Sequence, residues 1–277
     1  MSLATRIKKT ILYIALIILA LACLLPFWLM MVNSTRSGVE ITHSFSFLPG
    51  HSLKDNWAVL FDYVNLFLGL FNSLKVAVPA TLLTAYFSAI TAFGMAMYEW
   101  KGNNVLFKVI VVFMMIPGQL SLIGFYNLCQ KLHLIDSYIP LIIPAMASPG
   151  IVFFLRQYTK ATLSKSLMEA ARIDGASEIH IFHRIVLPIM APGIATMSIG
   201  TFIGNWNSYL VPLILLNSPK KMTLPVMIST LNAATDLQKN QGAIYLGVAI
   251  SVVPIIIVFC FCSKYIISSI SAGSVKE

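Results

Sequence analysis

Charge is what this sequence has least of. Only 10% of its residues are Asp, Glu, Lys or Arg, while 58% are hydrophobic, where a soluble domain carries roughly 25% and 45–50%. With 29 such charges in 277 residues, the chain cannot cover a water-facing surface. That excludes a soluble enzyme, a disordered chain and a nucleic-acid binder, despite the net charge of +9. Cysteine is scarce as well, with four residues and no C-x-x-C pair, so neither a disulfide framework nor a zinc site is indicated. No G-x-x-x-x-G-K-[ST] occurs, which removes a phosphate-binding loop and with it ATP hydrolysis by this chain. His133 stands alone in a loop and His180 and His183 share one charged segment, a pattern that makes no metal site.

What the chain has instead is long apolar runs. A bilayer core about 30 Å thick needs about 20 apolar residues in a helix, and the mean hydropathy is +0.83. Six stretches qualify, at residues 11–32, 70–98, 105–128, 138–155, 187–216 and 242–267. The expected fold is therefore all-α, a polytopic membrane bundle of six transmembrane helices. The first run follows Arg6, Lys8 and Lys9 like a signal peptide, yet it is about twice the usual apolar length and lacks a small-residue exit. It reads as a retained span. With the N-terminus inside, twelve of the nineteen Lys and Arg residues fall in inner segments, while the ten carboxylates divide equally. That bias places both termini, residues 1–10 and 269–277, in the cytoplasm.

None of the ten carboxylates lies within a span, which argues against an intramembrane aspartyl protease or a proton-coupled carrier. Lys75 falls inside the second run, near its outer end, where snorkelling suffices. Prolines interrupt several runs: Pro79, Pro117 before Gly118, and Pro140, Pro144 and Pro149. Each is either a packing kink or a break that neighbouring helices or a wet cavity must satisfy.

The longest charged stretch lies between the fourth and fifth runs, at residues 160–187, and it has helical patterning. Leu167, Met168 and Ala171 share one face of a short helix that Gly175 can end in the left-handed conformation. Ser177 is placed to cap a second short helix with Glu178 in its first turn. There Ile179, Phe182, Ile185 and Val186 form an apolar face, and Pro188 opens the next span. Such a helix–glycine–helix unit is expected to show apolar side chains where no lipid covers them. Two uses are open: docking to a partner, or closure against the membrane surface.

The string Glu169-Ala170-Ala171, then Gly175, Ile185 and Leu187-Pro188, resembles the EAA motif of ABC importer permeases, and Asp174 and Ala176 agree with it. The resemblance implies a type I importer permease in which this segment is a cytoplasmic coupling helix seated in a groove of an ATP-hydrolysing subunit. Glu169 and Gly175 would make that contact. Phe71-Asn72-Ser73-Leu74 is similar to the entry of the second span in sugar permeases. The fifth run's Phe202, Trp206-Asn207, Tyr209 and Pro212-Leu213 are similar to a segment of carbohydrate-uptake permeases. The tail at 271–277 looks like the ending of the maltose-type second permease subunit.

The implied function is ATP-driven uptake of a sugar, an oligosaccharide or glycoside, across a bacterial inner membrane. The alternative is a non-sugar small solute carried by the same architecture. The implied partners are a second permease in a heterodimer, two cytoplasmic ATPase subunits that hold the ATP and magnesium, and an extracellular or periplasmic solute-binding protein. For Asn205, Trp206, Asn207 and Tyr209, two roles stay open. They mix amides and rings as sugar sites do, or they join neighbouring helices by hydrogen bonds and packing.

Overall fold

Helix formation here follows apolar length, and helix breaks follow proline and glycine. In a computed structural model that describes residues 3–233 and 240–274, the first helices are α1 (Leu3–Ser34), α2 (Gly38–His43), α3 (Leu53–Tyr63) and α4 (Leu66–Met97). Next come α5 (Asn103–Met114), α6 (Leu122–Lys131), the short α7 (Ile139–Ile142) and α8 (Pro149–Thr162). The remainder are α9 (Lys165–Ile173), α10 (Glu178–Ile181), α11 (Leu187–Trp206), α12 (Leu210–Leu215), α13 (Leu224–Ala233) and α14 (Gln241–Ser274). No strand occurs among the described residues.

Five helical segments are long and apolar enough to cross a membrane, or six if the bent pair 103–114 and 118–131 counts as one. That pair decides between the two readings left open at Pro117–Gly118: the third run is broken there, not merely kinked. The two halves meet at 89°, because Pro117 has no N–H to give and the chain restarts as a 3-10 turn at Gly118. The fourth run is also broken: α7 passes through a 3-10 turn (Ile143–Met146) before α8 restarts at Pro149 and runs on to Thr162, beyond the expected end at 155. The fifth run ends as a helix at Trp206, where Asn207 caps it by donating its N–H to the carbonyl of Ile203, and resumes as α12. Pro26, Pro79, Pro192 and Pro254 stay within unbroken helices. Part of the tail motif, Val275, Lys276 and Glu277, lies outside the described residues.

Two compact units are formed, one from the described parts of Met1–Phe67 and Val226–Val253, the other from those of Leu68–Pro225 and Pro254–Glu277. In the first unit the end of α1 is closed by polar groups. The buried Arg36 donates through Nη2 to the carbonyl oxygens of Glu40 (2.8 Å) and Ser44 (2.7 Å). Asn56, also buried, donates to the carbonyls of Ser34 and Arg36 at 2.8 and 2.9 Å. Arg36, expected as a loop charge, is thus an internal tie.

In the second unit α4 is the central element. Its buried face is a stripe of small residues, Ala77, Ala80, Thr84, Ser88, Ala89 and Ala92, spaced to recur once per turn. Small residues let helices approach closely where no hydrophobic force drives them together in lipid. Thr84 uses that closeness: its hydroxyl donates to Ala145 O at 2.7 Å, satisfying a carbonyl left over in the broken fourth span. Phe107 of α5 stacks on Phe153 of α8, and the buried guanidinium of Arg156 lies 3.8 Å over the Phe107 ring. Arg156 stands one residue past the fourth apolar run, and the longer α8 includes it.

The start of α4 is tied to the segment after α12. Asn72 Nδ2 donates to the carbonyls of Lys220 and Met222 at 2.9 and 3.0 Å, and Leu224 N–H donates to Ser73 Oγ at 2.8 Å. Beside it, Asp136 sits in the left-handed region at φ 60°. Its carboxylate accepts from the N–H groups of Asn217 and Ser218 at 3.0 Å each and from Ser218 Oγ at 2.6 Å, with Lys221 Nζ 3.0 Å away. These donors hold the Asp136 carboxyl far below the usual carboxylate range, the bonds from Ser218 contributing most.

A depressed pKa means that the ionised form stabilises the fold above the ordinary carboxylate range and that this contribution fades as pH falls through the folded-state value. Asp136→Asn should therefore melt at a lower temperature than the unchanged chain at pH 7 in detergent. The gap should narrow steadily below pH 4. A gap independent of pH would show that the charge is not what the clasp uses.

Candidate functional site

The charged segment between α8 and α11 folds as a closed hairpin. Ser164 caps α9 by accepting from Leu167 N–H. At the other end Ala176 N–H donates to Ala171 O and Gly175 N–H to Arg172 O, both at 3.0 Å, the paired bonds of a Schellman stop. Gly175 takes φ +80°, the left-handed conformation the sequence requires there, and nothing lies within 4 Å of where its Cβ would be. The constraint at Gly175 is conformational within the chain, and the space beside it is open. Ser177 caps α10 by accepting from His180 N–H, as expected.

Two expectations about this hairpin are corrected. The second helix is not free-standing: α10 passes through a π-helical turn, Phe182–Val186, straight into α11. Leu187 N–H donates to Phe182 O, five residues back. Pro188 has no N–H to return to the preceding turn, and the wider π-turn sits where that bond is missing. The apolar face also does not point outward as a whole. Met168, Ala171, Ile181, Phe182 and Val186 are buried in one cluster with Ala89, Ala92 and Phe93 of α4, Leu155 of α8, Leu163 and Met190. Ile185 and Leu187 pack at its edge. What remains outside is narrower: Ile173 at 87% exposed, Ile179 at 74%, and part of Leu167. Glu169, Ala170, Asp174 and Pro188 are exposed too. Glu169 has no hydrogen bond or ion pair among the described residues. Between the two helices, Ala171, Asp174, Gly175, Ala176, Ser177 and Ile185 line an open notch with His180.

Polar contacts join the hairpin to the end of α4. Arg172 Nε donates to Glu178 Oε1 at 2.7 Å, Tyr98 OH donates to Glu178 Oε2, and the Arg172 guanidinium lies 5.5 Å from the Tyr98 ring centre. Lys165 pairs with Glu99 at 2.5 Å, which lowers the Glu99 carboxyl and raises the Lys165 ammonium. Both pairs are solvent-exposed, so they set register more than stability. Nothing in the sequence pattern joined Tyr98 or Glu99 to this segment, since the partners are 66 to 80 residues apart.

The four residues expected along a substrate path separate. Trp206 is buried and stacks on Phe202, ring centres 5.8 Å apart, so it is a packing residue. Asn207 is the exposed helix cap and Tyr209 is exposed. Asn205 lines a cavity of about 250 Å³ with Ser73, Pro140, Pro144, Ser208 and Thr223. Its Nδ2 and the hydroxyl of Thr223 are both buried without a hydrogen-bond partner among the described residues. Thr223 was missed by sequence reasoning, and a lone threonine in the run Met222-Thr223-Leu224 gives no signal.

Comparison with known proteins shows the family. The chain belongs to the family of binding-protein-dependent transport system inner membrane components, whose sequence profile matches residues 65–271. It is thus a multi-pass membrane protein. The arabinooligosaccharides transport system permease protein AraQ of Bacillus subtilis (strain 168) is 34% identical over 275 residues, 98% of this chain and 96% of that protein. The lactose transport system permease protein LacG of Rhizobium radiobacter is 30% identical and is covered to 99%, as is this chain. A crystal structure of a bacterial ABC transporter involved in the import of the acidic polysaccharide alginate contains a chain of the same fold. That chain superimposes with a TM-score of 0.81 at 24% identity, covering 96% of this chain and 99% of the other.

Packing and polarity make opposite predictions for neighbours in this segment. Trp206→Ala should destabilise by about 3–5 kcal/mol, the usual loss for a buried aromatic, seen as a lower melting temperature and poor membrane yield. Asn205→Leu removes a buried amide nitrogen that has no partner among the described residues and should melt no lower than the unchanged chain. A large loss of stability in Asn205→Leu would mean that the amide is satisfied in the working protein.

Proposed function

We propose that this chain is one of two permease subunits of a bacterial ABC importer, and that it carries an oligosaccharide or glycoside into the cell. The spans are α1, α4, the bent pair of α5 and α6, α7 with α8, α10 with α11, and α14, with both termini in the cytoplasm. The 160–187 hairpin is the coupling helix. Residues 11–268 form the permease domain. ATP and magnesium belong to two cytoplasmic ATPase subunits, and this chain has no catalytic role. A second permease completes the path, and a solute-binding protein delivers the sugar, as the family's own description supports. The names of the similar proteins, for arabinooligosaccharides and lactose, support a sugar cargo over another small solute.

The observation that carries this reading is the shape of the hairpin. Its inward side shares one apolar cluster with α4 and α8, and its tip leaves Ile173, Ile179, Glu169 and the open notch at Gly175 uncovered. A surface of this kind suits a rigid knob in a partner's groove: two exposed branched side chains, a carboxylate with no hydrogen bond or ion pair among the described residues, and no Cβ at the turn. Movement of the partner then displaces hairpin and spans together, since a packed cluster shifts as a body rather than deforming. Asn205 and Ser208, at the break after α11, are the residues of the fifth span best placed for substrate hydroxyls.

Gly175 gives the sharpest test. Gly175→Val meets no internal clash but costs about 1–2 kcal/mol for the left-handed backbone and fills the notch. The variant should insert in the membrane, co-purify with less ATPase subunit and lose sugar uptake. Gly175→Asn, which tolerates the same backbone, should keep part of both. Undiminished uptake with Gly175→Val would overturn the coupling role. Tyr98→Phe should leave co-purification intact and lower the sugar moved per ATP hydrolysed, because it frees Glu178 from α4 without touching the exposed tip.

A further inference from the structure

We propose that residues 44–50 form a small membrane anchor, dipping along the flank of α1 to rest at the boundary between lipid headgroups and acyl chains. The path of the segment is fixed at three points. It leaves from the end of α1, where Arg36 Nη2 holds Ser44 O and Ser44 Oγ, each at 2.7 Å. It returns to the same level, where Gly50 N–H donates to Thr35 Oγ1 and Ser52 N–H to Thr35 O, each at 2.8 Å. A Cβ on Gly50 would stand 2.8 Å from Thr35 O, so the return requires glycine. Between these points, Trp28 Nε1 donates to Phe47 O at 3.1 Å. Trp28 lies seven residues before Thr35, which at 1.5 Å per residue is about 10 Å along the helix axis. The segment therefore descends about 10 Å beside a membrane span and climbs back.

The chemistry of the tip fits lipid rather than water. Ser44 to Gly50 carry no charge. Phe45 and Leu48 are 72% and 74% exposed, and Phe47 is exposed in a T-shaped pair with Phe45 at 4.9 Å. Its backbone is tied at some points and open at others. Ser46 Oγ accepts from Leu48 N–H at 3.0 Å and donates to Leu48 O at 3.1 Å, and Trp28 serves Phe47 O. The N–H groups of Phe45, Ser46 and Phe47 have no partner among the described residues, which suits the headgroup boundary that water still reaches and not the hydrocarbon beneath it. A tryptophan at that depth is typical of the interface belt. The exposed Leu24 and Met31 of α1 flank Trp28, so the tip continues an apolar surface that faces lipid along the span. The inference needs only that α1 crosses the membrane and does not depend on the transport reading.

A depth measurement on the full chain with its co-purifying subunits tests it. Cys23, Cys129, Cys260 and Cys262 are replaced by Ala, and a nitroxide is placed at Phe47→Cys, with His51→Cys as the reference at the return. The protein is held in nanodiscs of phosphatidylethanolamine and phosphatidylglycerol, and collision rates with oxygen and with a water-soluble nickel chelate are compared. The oxygen-to-nickel ratio should be severalfold higher at 47 than at 51. A ratio at 47 equal to that at 51 places the tip in water and overturns the proposal. Protection from both reagents means that a second permease or a binding protein covers it, and this too overturns the proposal. Leu48→Cys gives the same reading if Phe47→Cys fails to insert.

Discussion

Close approach along one edge of α4 is the constraint on which the second unit depends. Lipid offers no hydrophobic force to bring helices together, so the buried stripe of alanines, Thr84 and Ser88 must let neighbours come near enough for dispersion and short hydrogen bonds to hold them. Everything packed on that edge uses the proximity. Thr84 reaches Ala145 O because the broken fourth span is that close. The hairpin's Phe182 can rest against Phe93, ring centres 5.6 Å apart, because Ala89 and Ala92 leave room beside it. A single large side chain in the stripe would separate all of these at once.

The breaks in the spans have a common logic. Each frees backbone groups that a bilayer will not hydrate, and in each case a polar atom of the protein lies beside the break. Thr84 serves the fourth span, while Asn205 and Thr223 stand next to the break after α11. Those two polar atoms border a cavity rather than a helix. Polar groups facing a small half-open space are suited to a guest with hydroxyls of its own. The same proline chemistry thus gives a sealed kink at one place and a lined cavity at another, depending on whether a neighbour fills the gap.

Much of this was legible in the sequence, and the misses have physical causes. Apolar run length alone located the five long apolar helices and the bent pair, since a span must be long and free of charge whatever it packs against. The hairpin's caps at Ser164 and Ser177 and its left-handed Gly175 are local, and the cap at Ser177 and the turn at Gly175 were readable because caps and turns are decided within a few residues. The π-turn, the break at Pro117–Gly118 and the continuity of Pro79 and Pro192 were not, because a proline does not state whether its unpaired carbonyl will be met by a neighbour. Periodicity found the apolar face of the hairpin but not its partner. It therefore could not tell that Met168 and Phe182 turn inward to α4 while Ile173 and Ile179 do not. The stripe on α4 escaped notice for a related reason: alanine, serine and threonine barely register as hydropathy, yet spacing at one residue per turn is what makes them a packing edge.

The two ends of α4 show what kind of machine element it is. Asn72 and Ser73 are tied to the segment 220–224 at one end, and Tyr98 and Glu99 meet the hairpin just past the other. From Ser73 to Tyr98 is 25 residues, about 37 Å at the helical rise, the full thickness of a bilayer core with some margin. Pro79 does not cut this rod. The fastening differs in kind. The 220–224 end is held by short bonds to backbone carbonyls and N–H groups, reinforced by the Asp136 clasp, which can loosen only by leaving peptide groups unpaired. The hairpin end is held by an apolar cluster and by exposed ion pairs that exchange readily with water. A displacement applied at the hairpin would therefore be resisted at the clasped end and taken up between, at the bend before α6 and the gap between α11 and α12. The fourth span is interrupted in this unit as well, but there Thr84 bonds the gap to α4, which leaves the other two breaks as the interruptions least tied to this rod.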